Sequence, residues 1–434
     1  MRRVEKQKRR ARRLLLLYQY FYPDDVVSAH HYTHLAEDLQ LKGWQVIAMP
    51  VNRARHDESV VFAHREVYKD IEIRRIWCPS FLKQSSTLGR GLRAIWVICA
   101  WAITAFRRKS MPHVDVVVVG TDPILSIIVA IVWRAVRPKT KLVHWCFDLF
   151  PETGVAAGIL NGSSLLTRLF RLLSRTSYAA CDLIVDTAPC QRRRLETYGN
   201  HVARATCTPW ALVEPPSLLR ADPVVRHALF GEAKLALFYS GNLGMAYSYE
   251  LFVELARLLQ SSNVQLVFGV RGKRVAQLKA TLRETDTNIS FCSFGAIDQL
   301  SERLSAADIH LVSLQPEWTG TLVPSKFFGS LAIGRPVIFA GSEDSAIAQW
   351  IRTYRLGWVL TESELDRVAC DLVQISITPE CLDELNHRCH QVYQDVFSRK
   401  HVVDTWNCEL RKVADGYELY RSTREHLPMD TAFP

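Results

Sequence analysis

The sequence predicts an α/β protein of two domains built on parallel sheets. Three observations carry that prediction. Strand-like apolar runs alternate with helix-like runs along most of the 434 residues, the pattern of parallel α/β architecture. A segment with three prolines, TPWALVEPP at 208–216, splits the alternation, because proline disfavours helix and marks a hinge. Two stretches of the second half, YSGNLG at 239–244 and VPSKFFGSLAIGRPVIFAG at 323–341, each join a strand to a helix through a Gly- or Pro-bearing turn. Such a turn leaves backbone N–H groups facing open space, which is how these folds hold a nucleotide diphosphate.

The first-half strands are expected at 14–20, 45–51, 114–119, 140–145 and 183–186. Ser28 is placed to cap a helix that carries Leu35 and Leu39 on one face and stops at Gly43. Two apolar segments follow: AIWVICAWAITAF at 94–106, thirteen uncharged residues, and PILSIIVAIVW at 123–133, eleven. Neither approaches the roughly 20 residues that span a bilayer. They read as buried helices covering a sheet, or, for the first, as a helix seated at a lipid interface with Trp96 and Trp101 and its basic flanks on headgroups. Monotopic attachment is the expectation adopted. Second-half strands are expected at 235–239, 264–268, 289–292, 309–314, 337–340 and 357–360, with terminal helices over 378–418 and a loose tail from 423. The division is a basic arm at 1–13, a first domain at 14–212, a second at 217–395, and a last helix at 396–422.

Composition bounds the partners. A chain of 434 residues predicts two to three domains, each able to bury a core. The net charge of +10 is concentrated in residues 1–13, which hold eight Lys or Arg against one Glu. Such an arm meets nucleic acid, acidic phospholipid or nothing specific; the apolar segments favour the membrane, and no nucleic-acid role is expected. Eleven cysteines are scattered singly, as in a cytosolic protein with reduced thiols. The apolar run after the basic start breaks at Gln19, too soon for a secretory signal. His30 and His34 would need further ligands from elsewhere to hold zinc. No carboxylate pair is spaced for Mg²⁺, so neither a metal nor another cofactor is expected.

The candidate chemistry lies at strand ends. Gly241 and Gly244 permit close approach to a phosphate, and Asn242 hydrogen-bonds it or adopts a left-handed conformation. Lys326 opens a helix, where a cation costs stability unless an anion sits beside it. It is therefore the preferred diphosphate ligand, with Arg271 second and Ser325 on the same phosphate. In the first domain, Asp148 ends the strand at 140–145, at the carboxyl edge where open α/β sheets bind ligands, and is placed to orient or deprotonate an acceptor hydroxyl. Glu152 and Asp122 are further acceptor-side candidates. His144 is expected to be a satisfied core histidine.

Four stretches in order, FDLFPETG, YSGNLG, FGAIDQLSERLSAADIHLVSL and VPSKFFGSLAIGRPVIFAG, are similar to the retaining family-4 glycosyltransferases over most of 14–415. The resemblance implies two facing Rossmann-like domains (GT-B architecture) with a C-terminal helix crossing back to the N-terminal domain. It implies a metal-independent, hexosyltransferase-type enzyme that moves a sugar from a nucleoside diphosphate sugar to a glycan or polyprenyl-linked acceptor. By the resemblance the base lies on the backbone around Phe294 and Gly295, Asp148 matches the acid of a D-L-W-P-E stretch, and the setting is polysaccharide assembly on the inner membrane face. Two departures stand out. Met245 and Ala246 replace a cation after the first turn. Thr321 and Gly329 replace two glutamates eight positions apart, the later of which grips ribose; Glu343 is the possible substitute. The rival readings are a non-catalytic glycosyltransferase-like subunit and a nucleotide-sugar epimerase. A dinucleotide oxidoreductase is least favoured, because no GxGxxG follows the first strand.

Overall fold

The computed structural model describes residues 11–416 apart from 83, 85, 112 and 294–298. The first domain is built on a sheet of β1 (Arg12–Leu17), β2 (Trp44–Ala48), β3 (Arg65–Tyr68), β4 (Ile71–Arg74), β5 (Val116–Val119), β6 (Lys141–Trp145), β7 (Leu183–Asp186) and β8 (Ala203–Thr206). Its order is β3-β4-β2-β1-β5-β6-β7-β8, parallel except for the β3–β4 hairpin. The second sheet holds β9 (Leu235–Asn242), β10 (Val264–Arg271), β11 (Ile289–Phe291), β12 (Ile309–Ser313), β13 (Val337–Ala340) and β14 (Gly357–Leu360), ordered β11-β10-β9-β12-β13-β14. The central strands are covered on both faces, so they read as unbroken apolar runs: Leu14 to Leu17 and Val116 to Val119 are each at most 1% exposed.

Strand order fixes where a ligand fits. In the first sheet β1 is flanked by β2 and β5, reached by connections in opposite directions, and in the second β9 is flanked by β10 and β12. The crevice beyond the carboxyl ends at such a reversal is the binding position of open α/β sheets.

Several expectations are corrected. Arg12 and Arg13 pair with Trp44 and Gln45 inside β1, so the strand begins within the expected arm; residues 1–10 lie outside the described residues. Ser28 is not a cap, since the helix Val27–Leu41 starts one residue before it and has no side-chain cap. Strands β3, β4 and β8 were not expected. β3 and β4 join through Lys69 and Asp70 in the left-handed region, at φ 48° and 63°, a tight turn without its usual glycine. The first apolar segment belongs to a longer helix, Thr87–Phe106, whose N-cap Ser86 accepts from Gly89 N–H. The expectation that it falls short of membrane-spanning length is therefore overturned: Leu88–Phe106 is long and apolar enough to cross a bilayer, though one face of it is buried.

The chain returns from the second domain through the helix Arg399–Asp415, which starts three residues after the expected 396; residues 417–422 of the expected range lie outside the described residues. Ser398 caps it by accepting from His401 N–H. It packs on the first domain: Arg399 reaches Glu37 and Asp38, and Trp44 Nε1 donates to Asn407. Trp406 is fully buried, edge-on to Trp145 at 4.8 Å between ring centroids. Truncating a buried tryptophan leaves a cavity worth about 3–5 kcal/mol. Trp406→Ala is therefore expected to lower unfolding free energy by that amount in urea denaturation, loosening the first domain although the residue lies near the end of the chain.

Candidate active site

Lys326 is the centre of the cleft. It is the first residue of the helix Lys326–Ala332, and its Nζ donates to the Asn242 carbonyl at 2.8 Å and the Tyr239 hydroxyl at 2.9 Å. The ammonium lies 4.0 Å from the Tyr239 ring centroid and 4.3 Å from that of Tyr247. Part of the side chain opens to the cleft, yet burial pulls its pKa well below the ordinary lysine value, and among the described residues no carboxylate offsets that effect. A cation so enclosed is stabilised by two aromatic faces and two oxygens, none of which carries charge.

The end of β9 is shaped around this side chain. Gly241 has φ +121°, and a Cβ there would stand 2.7 Å from Lys326 Cε, so only glycine lets strand and lysine approach. β9 and β10 stay paired to Gly241–Val270 and Asn242–Arg271, which sets exposed Arg271 beside Asn242 at the strand ends. Gly244 follows in the same turn, and Ser325 stands immediately before Lys326 with no side-chain cap bond. Gly241, Asn242, Gly244, Arg271, Ser325 and Lys326 are thus brought to one edge of the second sheet.

Opposite this edge lie the carboxyl ends of β1, β5 and β6. Asp148 follows β6, and Asp122 follows β5. Burial raises the pKa of Asp148 to about 6, although solvent still reaches its carboxylate from the cleft. Burial also raises Asp122 to about 6; Asp148 adds to the rise, and Arg55 and Arg93 oppose it. The two acids therefore share one environment. Tyr247 of the second domain, whose ring lies against the Lys326 ammonium, also feels Asp148: burial first, and then the Asp148 charge, raise its hydroxyl to about 12.

A polar cluster adjoins Asp122. Arg93, 1% exposed, donates through Nη1 to Glu58 at 2.9 Å, while its Nε and Nη2 have no partner among the described residues. Arg55 bonds Gln84, whose Oε1 also accepts from the Tyr20 hydroxyl and whose Nε2 has no partner among the described residues. Sequence reasoning missed Tyr247, Arg55, Arg93 and Gln84. Arg55 had a signal, since it follows β2, the neighbour of β1, at the same carboxyl edge.

Other candidates have structural partners. Glu152 accepts both arms of Arg171 and the Tyr198 hydroxyl; burial alone would raise its pKa, but these partners lower it overall. Glu343 forms an exposed pair with Arg352 at 2.6 Å. His144 is buried, its Nδ1 at 2.9 Å from the Val119 carbonyl. Phe294 and Gly295 lie outside the described residues. Among the described residues, no group of three His, Cys, Asp or Glu is arranged to hold a metal. A cavity of about 680 Å³ elsewhere between the domains is lined by Arg193, Arg194 and Asp344; it shares no lining residue with the Lys326 cleft and is open enough that solvent would screen a bound charge.

The domains are closed on each other. Thr321, fully buried, offers its carbonyl to Leu149 N at 2.8 Å and Gln191 Nε2 at 3.3 Å. Gly320, at φ +74°, lies against the Cys190 carbonyl.

Comparison with known proteins agrees with this geometry. No family model matches the chain. Over 278 residues it is 27% identical to a probable glycosyltransferase, WbjE, of Pseudomonas aeruginosa, an overlap of 62% of this chain and 68% of that protein. Among solved structures it is similar to sucrose-phosphate synthase of Thermosynechococcus elongatus, with TM-score 0.67, 13% identity, and coverage of 93% of this chain and 100% of that one. It is also similar to α,α-trehalose 6-phosphate synthase of Burkholderia multivorans, with TM-score 0.65, 12% identity, and coverage of 93% and 99%. A glycosyltransferase of Rickettsia africae aligns with TM-score 0.60, 12% identity, and coverage of 93% and 99%. The subunit and epimerase readings are not favoured by these similarities. The chain has the two-domain GT-B fold, and its relatives support glycosyl transfer as its chemistry.

Proposed function

We propose that this protein is a retaining, metal-independent glycosyltransferase that moves a hexose from a nucleoside diphosphate sugar to a glycan or polyprenyl-linked acceptor. The observation that carries the proposal is Lys326: a cation closed in by aromatic rings at a glycine-bearing strand end, with no counterion among the described residues, which a diphosphate would supply. Bound there, the diphosphate meets Lys326, the Gly241–Gly244 turn and Ser325, with Arg271 at the outer edge. As the bond from the anomeric carbon to the diphosphate oxygen breaks, negative charge grows on that oxygen, and Lys326 stabilises it most at that moment. The departing oxygen takes the proton of the acceptor hydroxyl, which attacks from the same face, so configuration is retained. Asp148, ionised, orients that hydroxyl across the cleft. The unpaired N–H groups of Arg93 and Gln84 offer donors to an oxygen-rich acceptor near Asp122. Polysaccharide assembly at the inner membrane face fits such an acceptor.

Three substitutions test these roles. Lys326→Ala is expected to cut kcat/KM by about 10²–10³. Because the ammonium is desolvated without a charge partner, thermal melting should hold or rise; full turnover in the variant would remove Lys326 from the site. For Asp148 the sign follows from its raised pKa: the active carboxylate is lost as pH falls through about 6, so kcat/KM should drop on the acid side. In Asp148→Asn turnover should fall by about 10²–10⁴. The remaining acid limb should move to lower pH, because Asp122 no longer faces a neighbouring negative charge. An unchanged pH–rate profile would exclude Asp148 from the reaction. Gly329 has room for a side chain, since a Cβ there would meet only Leu304 Cδ1, at 3.9 Å. Gly329→Glu should therefore tighten UDP or GDP binding by about tenfold through a charged hydrogen bond to ribose. Calorimetry showing no gain for either nucleotide would put the ribose elsewhere.

A further inference from the structure

The helices Thr87–Phe106, Val129–Val136 and Leu165–Ala179 lie side by side on the first domain. Trp133 Nε1 donates to the Trp101 carbonyl at 3.3 Å, and Arg137 Nε to that of Ala105 at 2.8 Å. On the first helix Leu88, Leu92, Ile95, Trp96, Ile103 and Phe106 are exposed, and their spacing puts them on one stripe. On the third, Leu165, Leu166, Leu169 and Leu172 are each at least 50% exposed, with Ile131 of the middle helix also exposed. Single exposed leucines are ordinary; a continuous apolar face across three neighbouring helices marks a partner.

Charge identifies the partner. None of the three helices contains an Asp or Glu. Arg107, Arg108 and Lys109 follow the first, and Arg168 and Arg175 flank the leucines of the third, all exposed. Trp96 donates to the Trp77 carbonyl at 2.8 Å, and both indoles remain exposed, as at an interface between apolar and wet layers. We propose that this three-helix face docks in the plane of an anionic lipid bilayer. A second copy of the chain fits it poorly, because two such faces would oppose arginines with no acid between them. Spanning is excluded by the opposite side of the first helix. Val97, Trp101 and Ala105 are fully buried, and the Trp101 indole is bonded to the Met49 carbonyl at 2.9 Å; inserting the helix across a bilayer would strip the first sheet.

The same helix links the docking face to the cleft. Its inner side carries Arg93, which bonds Glu58 and acts on the charge of Asp122. A lipid-linked acceptor in the docked bilayer would meet the acceptor side of the site directly. That last step rests on the transferase proposal; the docking itself does not.

The test is vesicle flotation of the full chain without nucleotide. Vesicles containing phosphatidylglycerol are expected to bind at least about tenfold more tightly than phosphatidylcholine alone, and added salt should weaken the binding. Ile95→Glu with Leu169→Glu should reduce binding at least about tenfold, as should Arg108→Ser with Arg168→Ser. Val224→Glu, on an exposed residue of the second domain, should not. Circular dichroism and melting temperature report whether each variant is folded, and the serine pair serves if the glutamate pair is not. Equal binding to both vesicles, or binding indifferent to either pair, overturns the proposal. So does a dimer in sedimentation that Ile95→Glu with Leu169→Glu dissociates, which would assign the face to a second copy. Failure here leaves nucleotide-sugar turnover to be judged separately, and loss of turnover leaves vesicle binding intact.

Discussion

A lysine held between two tyrosine rings, with no acid beside it among the described residues, constrains the cleft edge of the second domain. The ammonium of Lys326 needs oxygens at hydrogen-bond distance, and the Asn242 carbonyl and Tyr239 hydroxyl provide them. For that carbonyl to turn inward, β9 must run past the usual strand end, and Gly241 must take a conformation that a side chain would contest while also clearing Lys326 Cε. Tyr239, fully buried, fixes the floor; Tyr247 forms the wall toward the other domain. An uncompensated charge at this depth is costly, and at the cleft the fold places that cost on Lys326. Such concentrated frustration is expected where a ligand completes the electrostatics.

The first domain carries the opposite sign. Asp148 and Asp122 stand at neighbouring strand ends; burial raises the proton affinity of both, Asp148 adds to the rise at Asp122, and Arg55 and Arg93 limit it there. Had the acids lain beside Lys326, an ion pair would have neutralised both and left no field for a ligand. Tyr247 meets both sides, its ring against the Lys326 ammonium and its hydroxyl in the field of Asp148. Closure of the domains then rests on backbone carbonyls of the second domain: Thr321 accepts from Leu149 N and Gln191 Nε2, and the Asp344 and Glu317 carbonyls accept from Arg193 and Arg194.

Much of the fold was legible because buried parallel strands are continuous apolar runs: β7, β13 and β14 coincide with the expected ranges. Legibility fails where a strand is short, charged and at an edge. β3 and β4, REVY and IEIR, alternate weakly and turn through Lys69-Asp70, and β8, ARAT, has little apolar content. At the site, Lys326 and the glycine turn were readable because a cation at a helix start and glycine at a strand end are each locally unfavourable. Tyr247 and Arg93 were not, since a tyrosine in a loop and an arginine in an apolar helix acquire their role only when another segment packs against them. Glu152 shows the converse: an acid next to the right motif, already satisfied by Arg171 and Tyr198.

The two missing glutamates have different structural fates. Thr321 is fully buried, its hydroxyl turned to the Trp318 carbonyl and its own carbonyl committed to the first domain; a glutamate there would place a carboxylate in a closed interface and force the domains apart. Gly329 carries no such commitment, because space remains beside it. The first departure is therefore bound to how this chain closes, whereas the second leaves the local packing free to take a side chain. A protein that holds its domains together through a backbone carbonyl has less need of a side chain to reach across, and the burden of holding the donor shifts to the Lys326 end of the cleft.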